Sequence, residues 1–75
     1  MLTPDFLSKH FTKYSTEELS ESIWYTGIIN NMTFYIEEFF DEDLFYITIF
    51  KDNKPLIGIE SNKDNLESKL NKYLK

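Results

Sequence analysis

The 75 residues contain no cysteine and no arginine, alanine, valine or glutamine, only two glycines and two prolines, and a single histidine. Each absence closes a route. Without cysteine there are no disulfides and no thiolate metal sites, so stability rests on packing alone, and a reducing compartment suits the chain. Two isolated glycines, Gly27 and Gly58, cannot build a GxGxxG or Walker phosphate loop; in strand-like surroundings they mark bulges or points of close packing. A lone His10 on a mixed helix makes neither a catalytic triad nor a metal site. No run approaches the roughly 20 apolar residues of a membrane span, and "MLTPDFLSKHF" has neither the basic start nor the apolar centre of a signal peptide. The expectation is a cytoplasmic chain with no membrane partner, forming one domain over residues 1–75 near the lower size limit for a single hydrophobic core.

What is present is aromatic and acidic. Seven Phe, five Tyr and one Trp accompany Ile and Leu, so core positions are filled by large side chains. The net charge is −5, and its distribution is uneven: Tyr14 to Phe50 carries eight acids and no Lys, whereas Lys51 to Lys75 carries six Lys against four acids. A field of one sign over half of a small domain repels nucleic acid and attracts basic surfaces. Abundant Lys, Asn, Ile, Phe and Tyr with no Arg or Ala is also the profile that AT-rich codons impose.

The punctuation predicts an α+β chain. Thr3 as N-cap, Pro4 at the first helical position and Asp5 in the first turn open a helix, with Leu2 placed to staple onto Leu7. Leu7, Phe11 and Tyr14 follow on one stripe. "STEE" then reads as a second cap, with Ser15 and Glu18 as a capping box and a short helical turn over 16–22. From Ile23 the period becomes that of strands, with turns at Asn30-Asn31, at "DED" and at Asp52-Asn53. Four strands in an antiparallel meander result, at about 23–29, 32–40, 44–50 and 55–60. Ser61 with Asp64 in the box position begins a closing helix whose stripe is Leu66, Leu70, Tyr73 and Leu74, packed on the sheet.

Alternation assigns the faces. Met32, Phe34, Ile36 and Phe40, then Phe45, Ile47 and Ile49, then Ile57 and Ile59 form the core side. Tyr35, Glu37, Phe39, Leu44, Tyr46, Thr48 and Phe50 form the other, which stays open if both helices cover the core side. An open aromatic face points to a binding or oligomer surface.

The acids gather in the same region. Glu37, Glu38, Asp41, Glu42 and Asp43 lie within seven residues, and Glu17, Glu18 and Glu21 precede them. A hairpin tip diverges carboxylates instead of converging them, and the EF-hand spacing with its central Gly is missing, so no metal, cofactor or catalytic role is expected. The plain role of such acids is to keep an aromatic-rich meander soluble. The sharper role is electrostatic: eight carboxylates without a counter-ion imitate the phosphates of a nucleic acid and fit a Lys/Arg channel, with Trp24, Tyr25, Tyr35, Phe39 and Tyr46 as anchoring rings.

The helix, meander, helix order resembles the double-stranded-RNA-binding fold, but "SNKDNLESK" carries acids where that family's last helix starts basic, so direct nucleic-acid binding is not expected. In size, acidity, lack of cysteine and codon profile the chain resembles small phage-encoded inhibitors, including anti-CRISPR proteins and DNA mimics. That resemblance implies a non-enzymatic inhibitor that binds a basic, nucleic-acid-binding host protein in the bacterial cytoplasm. The alternative expectation is a small structural or regulatory homodimer or larger homo-oligomer that uses the aromatic face.

Overall fold

A computed structural model describes residues 2–74. Helix α1 (Pro4–His10) leads into strands β1 (Lys13–Glu18), β2 (Ser22–Ile29), β3 (Met32–Phe39), β4 (Phe45–Lys51) and β5 (Lys54–Ser61), and helix α2 (Leu66–Asn71) closes the order. The five strands form one antiparallel sheet in sequential order, with a short helix at either end of the chain.

The helix start is the one that the sequence specifies: Thr3 Oγ1 accepts the Phe6 N–H at 3.1 Å and Pro4 occupies the first turn. The helix is shorter than its apolar stripe predicts. Phe11 is extended, and Thr12 donates its N–H to the Ile28 carbonyl at 2.8 Å, so the chain has joined the sheet before Tyr14. Residues 13–18 form β1, each paired with β2 from Lys13–Ile28 to Glu18–Ile23, so the expected helical turn over 16–22 is replaced by the end of β1, the connection after it and Ser22, the first residue of β2. The Ser15/Glu18 capping box is a purely local signal; pairing with β2 satisfies a whole row of backbone groups and prevails. The sheet therefore has five strands instead of the expected four.

The hairpins follow the turn chemistry of the sequence. Asn30 at φ 54°, and Asp52 and Asn53 at φ 53° and 66°, adopt left-handed conformations that these short polar side chains tolerate. Between β4 and β5 the register shifts at Ile49/Phe50, a bulge next to Pro55.

Both helices lie on the same side of the sheet. Leu7 from α1, Phe11 just after it, and Leu66 and Leu70 from α2 pack in one cluster with Ile23, Tyr25, Phe34, Ile36, Phe45, Ile47 and Ile49. Phe34, Ile36 and Ile49 are completely shielded, as their alternation predicts. Gly27 makes room for the Phe11 ring, since a Cβ there would sit 2.5 Å from the ring's Cγ. Two expected core residues are not core. Phe40 lies beyond the end of β3 and is 42% exposed, and Ile57 on the edge strand is 38% exposed because α2 covers only part of that edge. Ile59 is half-buried against the cluster.

The start of α2 also differs from expectation. Ser61 remains in β5 opposite Phe45, its hydroxyl donating to the Asn62 carbonyl, and Asn62 Oδ1 accepts the Asn65 N–H at 2.9 Å. The Ser61/Asp64 cap is thus replaced by a side-chain turn centred on Asn62, and the helix begins four residues later, at Leu66 with Asn65 as its N-cap. Among the described residues no helix is long and apolar enough to cross a membrane.

Candidate functional site

With both helices on one side, the opposite face of the sheet is uncovered. Register shows what it carries. Glu17 pairs with Trp24, Trp24 with Glu37, Glu37 with Tyr46 and Tyr46 with Glu60, so a single row runs across all five strands as Glu17, Trp24, Glu37, Tyr46, Glu60. Acid and ring alternate along it. Adjacent strands lie about 4.8 Å apart, which spaces the acids at about 10 Å with an aromatic side chain between each pair. The row itself holds no cation.

The next row consists of Ser15, Thr26, Tyr35, Thr48 and Gly58. Its single ring, Tyr35, meets Phe50 edge-on with centroids 5.6 Å apart, and Phe39 meets Tyr46 in the same way at 5.5 Å. Edge-to-face pairs fix ring orientation, so the exposed Tyr35 and Tyr46 present rigid surfaces. Glu37 is also fixed, its Oε2 accepting the Ser22 hydroxyl at 2.9 Å. The Glu60 carboxylate, hydrogen-bonded beside it, holds the Tyr46 hydroxyl above its ordinary pKa. Between β1 and β3 the face dips into an open depression of ≈ 430 Å³ lined by Ser15, Thr16, Glu17, Trp24, Thr26 and Tyr35.

The expected site residues separate into three groups. Glu17, Tyr35, Glu37, Phe39 and Tyr46 share the uncovered face. Glu21, from the β1–β2 turn, comes together with Asp41 and Glu42 of the β3–β4 turn beside Phe39, around a second open depression of ≈ 330 Å³; the Phe40 N–H donates to the Glu21 carbonyl at 3.1 Å and ties the two turns. Glu18, Glu38 and Asp43 go elsewhere. Glu18 and Glu38 fall on the helix side by strand alternation, where Glu38 Oε1 accepts the Tyr25 hydroxyl at 2.8 Å, and Asp43 Oδ1 accepts the Lys63 backbone N–H at 2.8 Å ahead of α2. The eight carboxylates therefore do not form one continuous surface. Tyr25, expected among the anchoring rings, is buried in the core.

One member of the row, Glu60, went unassigned by sequence reasoning; Trp24 was expected among the anchoring rings, and the register places it between Glu17 and Glu37. The signal for Glu60 was strand alternation, since Ile57 and Ile59 on the core side put Glu60 on the other; its place opposite Tyr46 comes from the register shift at Ile49/Phe50, without which the Asp52-Asn53 hairpin would set Ile59 there. Among the described residues no three His, Asp or Glu side chains converge as a metal ion would require.

No protein-family model matches the chain, and neither does any curated protein or solved structure.

Proposed function

We propose that the chain is a non-enzymatic binding module whose uncovered sheet face docks on a basic protein surface, one that itself serves nucleic acid. The observation that carries this reading is the alternating row Glu17, Trp24, Glu37, Tyr46, Glu60 on a face that no helix covers. Carboxylates held about 10 Å apart oppose a Lys/Arg surface, and the rings between them supply flat apolar area and cation-accepting π faces for the stems and heads of those side chains. The Glu21, Asp41 and Glu42 group extends the negative field past one end of the sheet.

Phosphate-like charge on a rigid sheet competes with nucleic acid for its channel, the action that the resemblance to small phage-encoded inhibitors implies, and a target of that kind places it in the bacterial cytoplasm. Face-to-face self-association through the same surface is disfavoured, because it sets like-charged rows against each other. The test is a competition experiment. A basic nucleic-acid-binding protein captured on the immobilised chain is loaded with labelled DNA or RNA and titrated with the free chain, with anisotropy as the readout. Displacement that weakens as salt rises supports the reading. Binding without displacement, or capture of proteins with no basic surface, removes it.

A further inference from the structure

The two edges of the sheet are unlike. On β5, Pro55 offers no N–H, the register shift at Ile49/Phe50 bends the strand, and Lys69 Nζ donates to the Glu60 carbonyl at 2.7 Å. These devices block strand addition. On β1 there is no proline and no bulge within Lys13–Glu18, and all six residues are exposed.

The backbone groups that β1 turns outward can be read from its hairpin. The Leu19 N–H donates to the Ser22 carbonyl at 2.8 Å, making Leu19 and Ser22 a hydrogen-bonded pair. Antiparallel ladders alternate, so Glu17, Ser15 and Lys13 direct their N–H and C=O groups to β2. Tyr14, Thr16 and Glu18 direct theirs away from the sheet. Among the described residues no turn, cap or side-chain hydrogen bond reaches those outward groups.

We propose that β1 is a self-pairing edge: two copies of this chain join antiparallel through it, about a two-fold axis at Ser15, to give a continuous ten-stranded sheet. The occupant is identified by charge. β1 carries Lys13 at its start and Glu17 towards its end. The Ser15-centred register sets Lys13 of each copy opposite Glu17 of the other, twice by symmetry, and makes Tyr14 and Thr16 the hydrogen-bonded pairs. Neighbouring registers that keep the outward groups facing lose this match. Centring on Thr16 sets Lys13 opposite Leu19, and centring on Glu17 sets the two Glu17 carboxylates against each other. Parallel pairing in register opposes like to like throughout. The edge charges thus reject the wrong partners and admit one.

Because residues of the same parity face each other across this axis, the uncovered faces of both copies lie on the same side. The depressions beside Ser15, Glu17 and Trp24 then meet at the seam, and Lys13 of the second copy reaches Glu17 there. This pairing does not depend on the proposed function: outward backbone groups of the sheet edge carry it, and of the row that faces the basic partner only Glu17 takes part.

The experiment is sedimentation of the full chain over a wide dilution range at low salt, with Lys13→Glu, Glu17→Lys, the double exchange Lys13→Glu/Glu17→Lys, and Thr16→Pro. Wild type forms a dimer on concentration. Each single reversal weakens association several-fold, the double exchange restores it, and Thr16→Pro abolishes it by removing an outward N–H while leaving the β1–β2 ladder intact. Circular dichroism confirms that each variant folds. Amide exchange on the wild type gives a readout without mutation, with Tyr14 and Thr16 gaining protection as concentration rises. A strict monomer at the highest concentration, a dimer that ignores both charges, or a double exchange no better than the single reversals overturns the proposal.

Discussion

Tyr25 donates its hydroxyl to Glu38 Oε1 at 2.8 Å, and the same hydroxyl oxygen accepts the Leu2 backbone N–H at 3.1 Å. One phenol in the core thus ties β3 to the segment ahead of α1. Burial first, and the hydrogen bond to Glu38 second, push the Tyr25 hydroxyl well above its ordinary pKa.

That shift has a definite sign. The folded pKa lies above the unfolded value of 10.0, so the neutral phenol's contribution to stability is fully present below pH 10.0 and is lost as pH rises through the folded value. Urea unfolding from pH 7 to 12 should show wild type losing stability only above about pH 10. Tyr25→Phe should cost about 1 kcal/mol at neutral pH through the lost hydrogen bonds, and the difference between the two proteins should shrink above pH 10. A difference that stays constant to pH 12 would mean that Tyr25 does not titrate as a buried, carboxylate-bonded phenol.

Asp43 differs from its acidic neighbours in having a backbone partner, the Lys63 N–H at 2.8 Å. Asp43→Ala should destabilise the fold by about 1 kcal/mol and speed amide exchange at Lys63, whereas Asp41→Ala and Glu42→Ala should stay within about 0.5 kcal/mol of wild type. Equal effects at all three positions would show that the bond contributes nothing.

Gly27 lies beneath Phe11, whose ring also meets Phe34 at 5.2 Å. Gly27→Ala drives a methyl into the ring and should cost about 1–3 kcal/mol. Shrinking the ring should relieve the clash, so Gly27→Ala combined with Phe11→Leu should cost less than the sum of the two single changes, a coupling measurable by chemical denaturation. Additive costs would contradict the close packing.

The parts of the fold legible in the sequence were those set by local chemistry. Asn30 and Asp52-Asn53 announced their hairpins, alternation placed Phe34, Ile36, Phe45, Ile47 and Ile49 inside, and the Leu66/Leu70 stripe found the buried side of α2. β1 was illegible for a physical reason. All six of its residues are exposed, so no burial pattern marks it, and its strand conformation comes from pairing with β2, to which "STEE" gives no local clue. Ser61 misled in the same way, because its place opposite Phe45 is a tertiary fact. The site was half legible. Parity alone put Tyr35, Glu37 and Tyr46 on one face, but Glu18 and Glu38 were grouped with neighbours from which strand alternation separates them, and the row reaching Glu60 appears only when five strands are in register.

The uncovered face makes two contributions to binding that respond differently to salt. Carboxylates act through a field screened within about 10 Å at 0.1 M salt and about 3 Å at 1 M, whereas ring burial is nearly salt-independent. Glu42→Lys and Glu60→Lys should therefore slow association with a basic partner and flatten the salt dependence of its affinity. Glu60 sits on β5, far across the sheet from β1, so these variants leave the Lys13 and Glu17 edge untouched. Trp24→Ala should weaken binding by about 2 kcal/mol or more while leaving the salt slope as it is. Asp64→Lys, on the loop before α2, is the matched charge control and should bind as wild type does. Glu67 is unsuited to that role, since its carboxylate lies 3.6 Å from His10 Nε2 and 3.9 Å from Lys9 Nζ. If Asp64→Lys weakens binding as much as Glu60→Lys does, net charge alone drives association and the ordered row of acids and rings has no part in it.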